Sequence, residues 1–254
     1  MSDLAGRNRF VTALTTMGTW APLWLAVAST SCGDDFRNGD RTPAVYSSLD
    51  MIDDMEDGDT NIRAVNGRSG SWQAFNDGTL TGSENSAMTP MDPPRIITGS
   101  SPSGSSLSQH GFHISGGGYS GWGAGWMVDF NAAGLRAPYD AGAYAGVVFW
   151  AKSDGPPTEV KVAFPDLLSD TAGGICDPND NRIGGKGCYD DFAANITLTS
   201  QWRRYEIAFS SLATGQWGYR HVFDSQHVFG IKFSVMPSYA LFDSWIDDVA
   251  FFGF

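Results

Sequence analysis

Charge is scarce in this chain. Only 17% of its 254 residues are Asp, Glu, Lys or Arg, while 13% are aromatic and 31 are glycine. No apolar pattern of helical period and useful length occurs, which argues against a helical fold. Many turns, many aromatics and few charges favour a sandwich or barrel. Glutamate is especially scarce: four of the 28 acidic residues are Glu and 24 are Asp, a residue of turns and calcium loops. Lys and Arg total 16, giving a formal net charge of -12. They form no basic patch, which argues against nucleic acid as a partner. Catalytic signatures are missing too. There is no G-x-S-x-G and no H-E-x-x-H. Gly116 to Gly121 matches G-x-G-x-x-G literally, but no βαβ unit surrounds it. His110 and His113 have no third partner that would make a zinc site.

The first residues read as a secretory signal over 1–31. Arg7 and Arg9 supply a basic start, and Phe10 to Ala28 is mostly apolar. Thr12, Thr15, Thr16 and Pro22 interrupt that stretch, which counts against a transmembrane anchor. Two processing routes stay open. Ala26-Val27-Ala28 fits ordinary cleavage before Ser29. Ser29-Thr30-Ser31-Cys32 resembles a bacterial lipobox, although Ser29 stands where an aliphatic residue is usual. Three cysteines are an odd count for an exported chain. Lipidation of Cys32 leaves Cys176 and Cys188 as a disulfide pair closing eleven intervening residues. The expectation is an exported protein of the outer membrane, cell surface or periplasm, or a secreted one, touching membrane only through a lipid on Cys32. Asp3, Arg7 and Arg9 carry +1 together, so loss of the leader gives -12 - 1 = -13. Such a surface stays soluble and repels acidic polymers.

Residues 32–50 are polar and aperiodic, a tether. Residues 51–254 form the domain. Short strands are expected at Ser71 to Phe75, Phe112 to Ser115, Trp126 to Phe130, Tyr144 to Lys152, Val160 to Phe164, Ala194 to Leu198, Arg204 to Phe209, Gly230 to Val235 and Ser244 to Phe252. Gly99 to Ser108 reads as a loop. The fold class is all-β, a jelly-roll sandwich of two antiparallel sheets. Alternation places Val147, Phe149 and Ala151 on one face and Val148, Trp150 and Lys152 on the other. It makes Ile231, Phe233 and Val235 core. In the last strand it groups Trp245, Asp247, Val249 and Phe251. Trp150, Lys161, Lys232 and Ser234 would line one surface if their strands are neighbours.

Acidic runs stand at both ends of the domain: Asp53-Asp54-Met55-Glu56-Asp57 near its start and Asp247-Asp248 near its finish. Buried carboxylates need a partner or a metal. First and last strands lying side by side would let the two runs share one hard cation.

Ile52-Asp53-Asp54-Met55-Glu56-Asp57-Gly58 resembles the opening of bacterial family 11 carbohydrate-binding modules. The texture of Val147 to Ser153, Gln201 to Leu212, Val228 to Phe233 and Trp245 to Val249 is similar in the same order. The resemblance implies a calcium-binding β-jelly roll with β-glucan held in a groove on its concave sheet. It puts Glu56 and Asp247 in the calcium site with Asp53 or Asp54 beside them, and aligns Trp150, Lys161 and Lys232 with groove positions. Flat rings stack on sugar faces, so Tyr119, Trp122, Trp150 and Trp217 are the candidate platforms, with Lys161 and Lys232 orienting hydroxyls. The expected function is non-catalytic binding of a polysaccharide or oligosaccharide. Two alternatives stand beside it: a glycan-active hydrolase or lyase on the same fold, and a structural or adhesive surface protein.

Overall fold

Alternating apolar residues and frequent turns give eleven strands, β1 (Met51–Asp53), β2 (Trp72–Asn76), β3 (Ser83–Ile96), β4 (Leu107–Gly117), β5 (Ala124–Asp129), β6 (Gly146–Ser153), β7 (Thr158–Phe164), β8 (Phe192–Leu198), β9 (Arg203–Ala208), β10 (Gly230–Met236) and β11 (Phe242–Phe252). The structure, a computed structural model, describes residues 51–96, 107–132, 134–237 and 239–253. The leader 1–31, the tether 32–50 and Cys32 lie outside the described residues. Two three-residue 3₁₀ turns are the only helical elements among those described.

The strands form two antiparallel sheets. The first has the order β3-β4-β11-β6-β9, with β1 added onto β11; the second has the order β2-β5-β10-β7-β8. This is the β-sandwich jelly roll expected from the sequence. First and last strands do lie side by side, Met51 opposite Ala250.

Between the sheets lies one apolar core. Trp126 stacks on Phe233 with centroids 5.3 Å apart, and Phe149 meets Phe233 edge-on at 5.2 Å. Each fully buried side chain of this size contributes about 2–3 kcal/mol. Val147, Phe149 and Ala151, and likewise Ile231, Phe233 and Val235, face this core as their alternation requires.

One strand escapes the sequence reading and two expectations are overturned. The long edge strand β3 escapes the pattern, because Pro90 and Pro94 break its register against β4. An edge strand tolerates proline, since one side of its ladder has no partner to lose. Leu107 and Ser108 belong to β4 rather than to a loop. In β11 the register shifts between Asp247 and Ala250, where Asp248 takes a left-handed φ of 47°. That bulge inserts one residue and reverses the alternation. Ile246, Val249 and Phe251 therefore face the core, while Trp245 and Asp247 stand on the outer face.

Candidate functional site

The outer face of the second sheet is built from alternate residues. Lys232 sits between Met127 of β5 and Ala163 of β7, and Gln73 of β2 continues that row. In the next row Ser234 sits between Gly125 and Lys161, flanked by Phe75 and Asn195. At the β2 edge Trp122 is 60% exposed and stacks on Phe75, centroids 5.9 Å apart. Phe75 lies over Gly125, where a Cβ would come within 2.9 Å of its ring. The result is an aromatic ledge above a floor of amide, hydroxyl and ammonium groups.

At the opposite end, Lys232 Nζ lies 5.8 Å from the centroid of Tyr189 and 3.1 Å from Asp191 Oδ2. Asp191 also accepts from Ser169 Oγ. Trp217, 44% exposed, rides on a segment fastened by Asp190, whose carboxylate accepts from the backbone N–H groups of Gly215, Trp217 and Gly218 at 2.7–2.9 Å. Arg136 joins Asp129 and Asp170 at 2.7 Å each.

Trp122, Lys161 and Lys232 thus share this face, with Trp217 on a loop segment beside Asp190. Two expected platforms do not belong to it. Trp150 is on β6 of the other sheet, opposite Arg204 and Asp247. The periodicity of β6 shows which way Trp150 points but not which sheet β6 joins. Tyr119 is buried, its hydroxyl donating to Glu84 Oε2 at 2.9 Å. It has no ring face to offer. Phe75 and Met127 stand on this face and Tyr189 beside it; the sequence does not single them out, although alternation within Ser71 to Phe75 puts Gln73 and Phe75 on one face.

Of the carboxylates that a glycosidase could use, Glu159 is exposed on this outer face two residues from Lys161, while four others are engaged with neighbours. Glu84 serves Tyr119 and Asn76, Asp129 serves Arg136, Glu206 pairs with Arg204 and buried Asp166 meets His221.

The acidic runs do converge where β1 meets β11, but around a guanidinium. Arg95, 3% exposed, binds Asp247 Oδ2 through Nε at 2.7 Å and pairs with Asp248 through Nη2. Its guanidinium carbon lies 4.9 Å from the centroid of Trp150 and 5.7 Å from that of Trp202. Asp247 Oδ2 also accepts from Ser108 Oγ at 2.8 Å. Glu56 Oε1 accepts from the N–H groups of Gln109 and His110 and lies 3.0 Å from Ser108 Oγ, whose single proton serves Asp247. Asp54 pairs with Arg63 at 2.5 Å. Asp53 is turned to Trp72 Nε1 and the Met55 N–H, at 2.8 and 2.9 Å. Calcium needs six to eight oxygens converging on one point. Among the described residues no three His, Cys, Asp or Glu groups are so placed. As arranged, the four expected ligands do not fit a calcium cage, because Arg95 supplies the positive charge and hydrogen-bond donors hold the other oxygens.

Burial pushes the Asp53 carboxyl from its ordinary 3.8 up to about 7, outweighing its two N–H donors, with the charges of Asp57 and Asp54 adding to the rise. A group raised in the folded state keeps its proton there after the unfolded chain has lost it. Its contribution to stability is full below pH 4 and is lost as pH climbs to about 7. The melting temperature is expected to fall between pH 4 and about pH 7, this group contributing up to about 1.4 kcal/mol per pH unit. Asp53→Asn should flatten that slope; an unchanged melting profile in the variant would refute the assignment.

Cys176 and Cys188 form the expected disulfide. Its reduction is expected to remove about 3 kcal/mol by freeing the loop. Melting curves with and without reductant check this, and coincident curves would contradict it.

No family model matches the chain, and no curated protein matches it. Solved structures similar to it include carbohydrate-binding modules. The family 11 module of a cellulosomal cellulase of Clostridium thermocellum shows a TM-score of 0.48 and 16% identity over 82% of this chain and 96% of that one. The same organism's family 11 module in complex with a β-1,3-1,4-mixed-linked tetrasaccharide shows 0.46 and 16% over 80% and 95%. A xylan-binding family 22 domain from Paenibacillus barcinonensis shows 0.44 and 9% over 82% and 99%.

Proposed function

We propose that this protein is an exported, non-catalytic glycan-binding module, and that the ligand lies across the outer face of the second sheet. The observation that carries this reading is the Trp122–Phe75 ledge beside a floor of Ser234, Lys161 and Asn195. An exposed indole braced from behind offers a flat apolar face to a pyranose ring. The polar row beneath it supplies fixed partners for hydroxyls. Strand-borne groups of this kind are largely preformed. The other sheet's tryptophans suit the role less well, because cations cover them: Arg95 lies over Trp150 and Trp202, and Lys152 over Trp202 and Trp245.

The disulfide and the 1–31 leader support export, and Cys32 is the residue we assign to a lipid anchor. Arg95 takes the structural role expected of calcium. The reading is tested by a panel of insoluble and soluble polysaccharides, scored for both retention and release of reducing or unsaturated ends. Retention without product is the expected result. Product release would make the protein an enzyme. Neither signal would favour the structural or adhesive alternative.

A further inference from the structure

Lysine is as rare as glutamate in this chain. There are four: Lys152, Lys161, Lys186 and Lys232. Lys161 and Lys232 are on the outer face described above, and Lys186 belongs to the disulfide loop at its Tyr189 end. Beside that loop an open surface depression of about 510 Å³ is lined by Arg182, Ile183, Lys186, Arg220, Tyr219 and the backbone of Gly184 and Gly185. Its residues, 182–186 of the disulfide loop and 219–220 of the β9–β10 connection, lie outside the segments that carry the family resemblance.

The acids around this depression are already occupied. Asp180 takes both branches of Arg182 at 2.7 Å and the Lys186 N–H at 2.9 Å. Asp190 is filled by three backbone N–H groups, and Asp191 by Ser169 and Lys232. Lys161, Lys186 and Arg220 have no ion pair among the described residues. Lys186 and Arg220 are exposed and Lys161 is half-buried, so all three ammonium or guanidinium groups are free to meet an anionic ligand. The overall negative charge repels an acidic polymer at long range, but screening limits that reach to about 8 Å at physiological salt, so the local cations decide at contact. The depression also adjoins the sugar face. The Tyr219 N–H donates to Gly187 O at 3.0 Å, next to the Asp190-bound segment that carries Trp217, and Tyr189 lies over Lys232.

We infer that this depression receives an anionic group, a carboxylate or sulfate, on a glycan whose rings lie on the second sheet, with Lys161 meeting a further anion along the same chain. This rests on the glycan-binding reading and narrows it to acidic polysaccharides. Arg220 and Lys186 would engage the anion directly, since charge-assisted bonds are the stronger kind.

The test is calorimetric titration of the purified protein with an oligogalacturonide, a sulfated galactan oligomer and a neutral mixed-linked glucan oligomer of equal length, at low and at high NaCl, about 150 and 500 mM, a range over which the screening length shortens roughly two-fold. At low salt at least one acidic oligomer is expected to bind about ten-fold or more tightly than the neutral one, and to lose that advantage at high salt. Which acidic oligomer leads tells carboxylate from sulfate. In the Lys186→Gln/Arg220→Gln variant, checked for folding by its melting curve, the preference should collapse to within about two-fold. Equal binding of acidic and neutral oligomers, or a preference that survives in the variant, overturns the inference and leaves the glycan-binding reading standing. Binding of none of the three overturns both.

Discussion

Replacement of Arg95 by alanine is expected to destabilise the domain by about 3–5 kcal/mol, because removing one partner of a buried ion pair leaves the other charge without compensation. Here two carboxylates would be stranded, Asp247 and Asp248. Burial already pushes the Asp247 carboxyl up, and the charge of Asp248 adds to that; Arg95 and Ser108 act against it. Loss of the guanidinium also strips Trp150 and Trp202 of the cation over their rings, a contact worth about 0.5–2 kcal/mol when desolvated. The same variant reveals whether the arginine stands in for a metal. Without it, Glu56, Asp247 and Asp248 present oxygens around an emptied space. Millimolar calcium should then raise the variant's melting temperature while leaving the parent protein's unchanged. A parent protein that melts higher in calcium and lower in chelator would show that the cage forms despite Arg95.

Trp122→Ala should weaken glycan binding by about 2 kcal/mol, roughly thirty-fold, as truncation of an exposed aromatic anchor does at other binding surfaces. Because Trp122 is 60% exposed, stability should change by only about 0.5 kcal/mol. Trp150→Ala provides the contrast. Trp150 is on the other sheet beneath Arg95, so its loss should lower the melting temperature and leave glycan affinity within about two-fold. Titration of both variants with the best ligand of the panel separates the two faces. If Trp150→Ala abolished binding and Trp122→Ala did not, the sugar would lie on the first sheet.

Strands with strict alternation were legible. β6 and β10 face the core through the residues their sequence assigns, since period-two patterning is what burial on one side of a strand imposes. Three things were not. β3 carries no apolar rhythm because it is an edge strand with prolines. The inversion in β11 depends on one left-handed residue, Asp248, and nothing local distinguishes that Asp from its neighbours in Ile246-Asp247-Asp248-Val249. Sheet membership is a property of long-range pairing, so the sequence of β6 could orient Trp150 but could not keep it apart from Lys161 and Lys232. The acidic convergence was legible as well, because carboxylates inside apolar strands demand a counter-charge. The identity of that charge was not. Arg95 lies in the proline-rich strand that periodicity missed, 152 residues before Asp247 and 153 before Asp248.

The pairing of β1 with β11 also governs how the domain would respond to force. The ladder is antiparallel, and Met51 lies opposite Ala250, so the two ends of the domain leave it on the same side. Tension applied between those ends opens the hydrogen bonds one after another instead of loading them together. A three-residue strand resists such unzipping poorly. β1 would peel away first, carrying Asp53 with it and loosening Asp54 and Glu56 behind, while the second sheet and its ledge stayed folded.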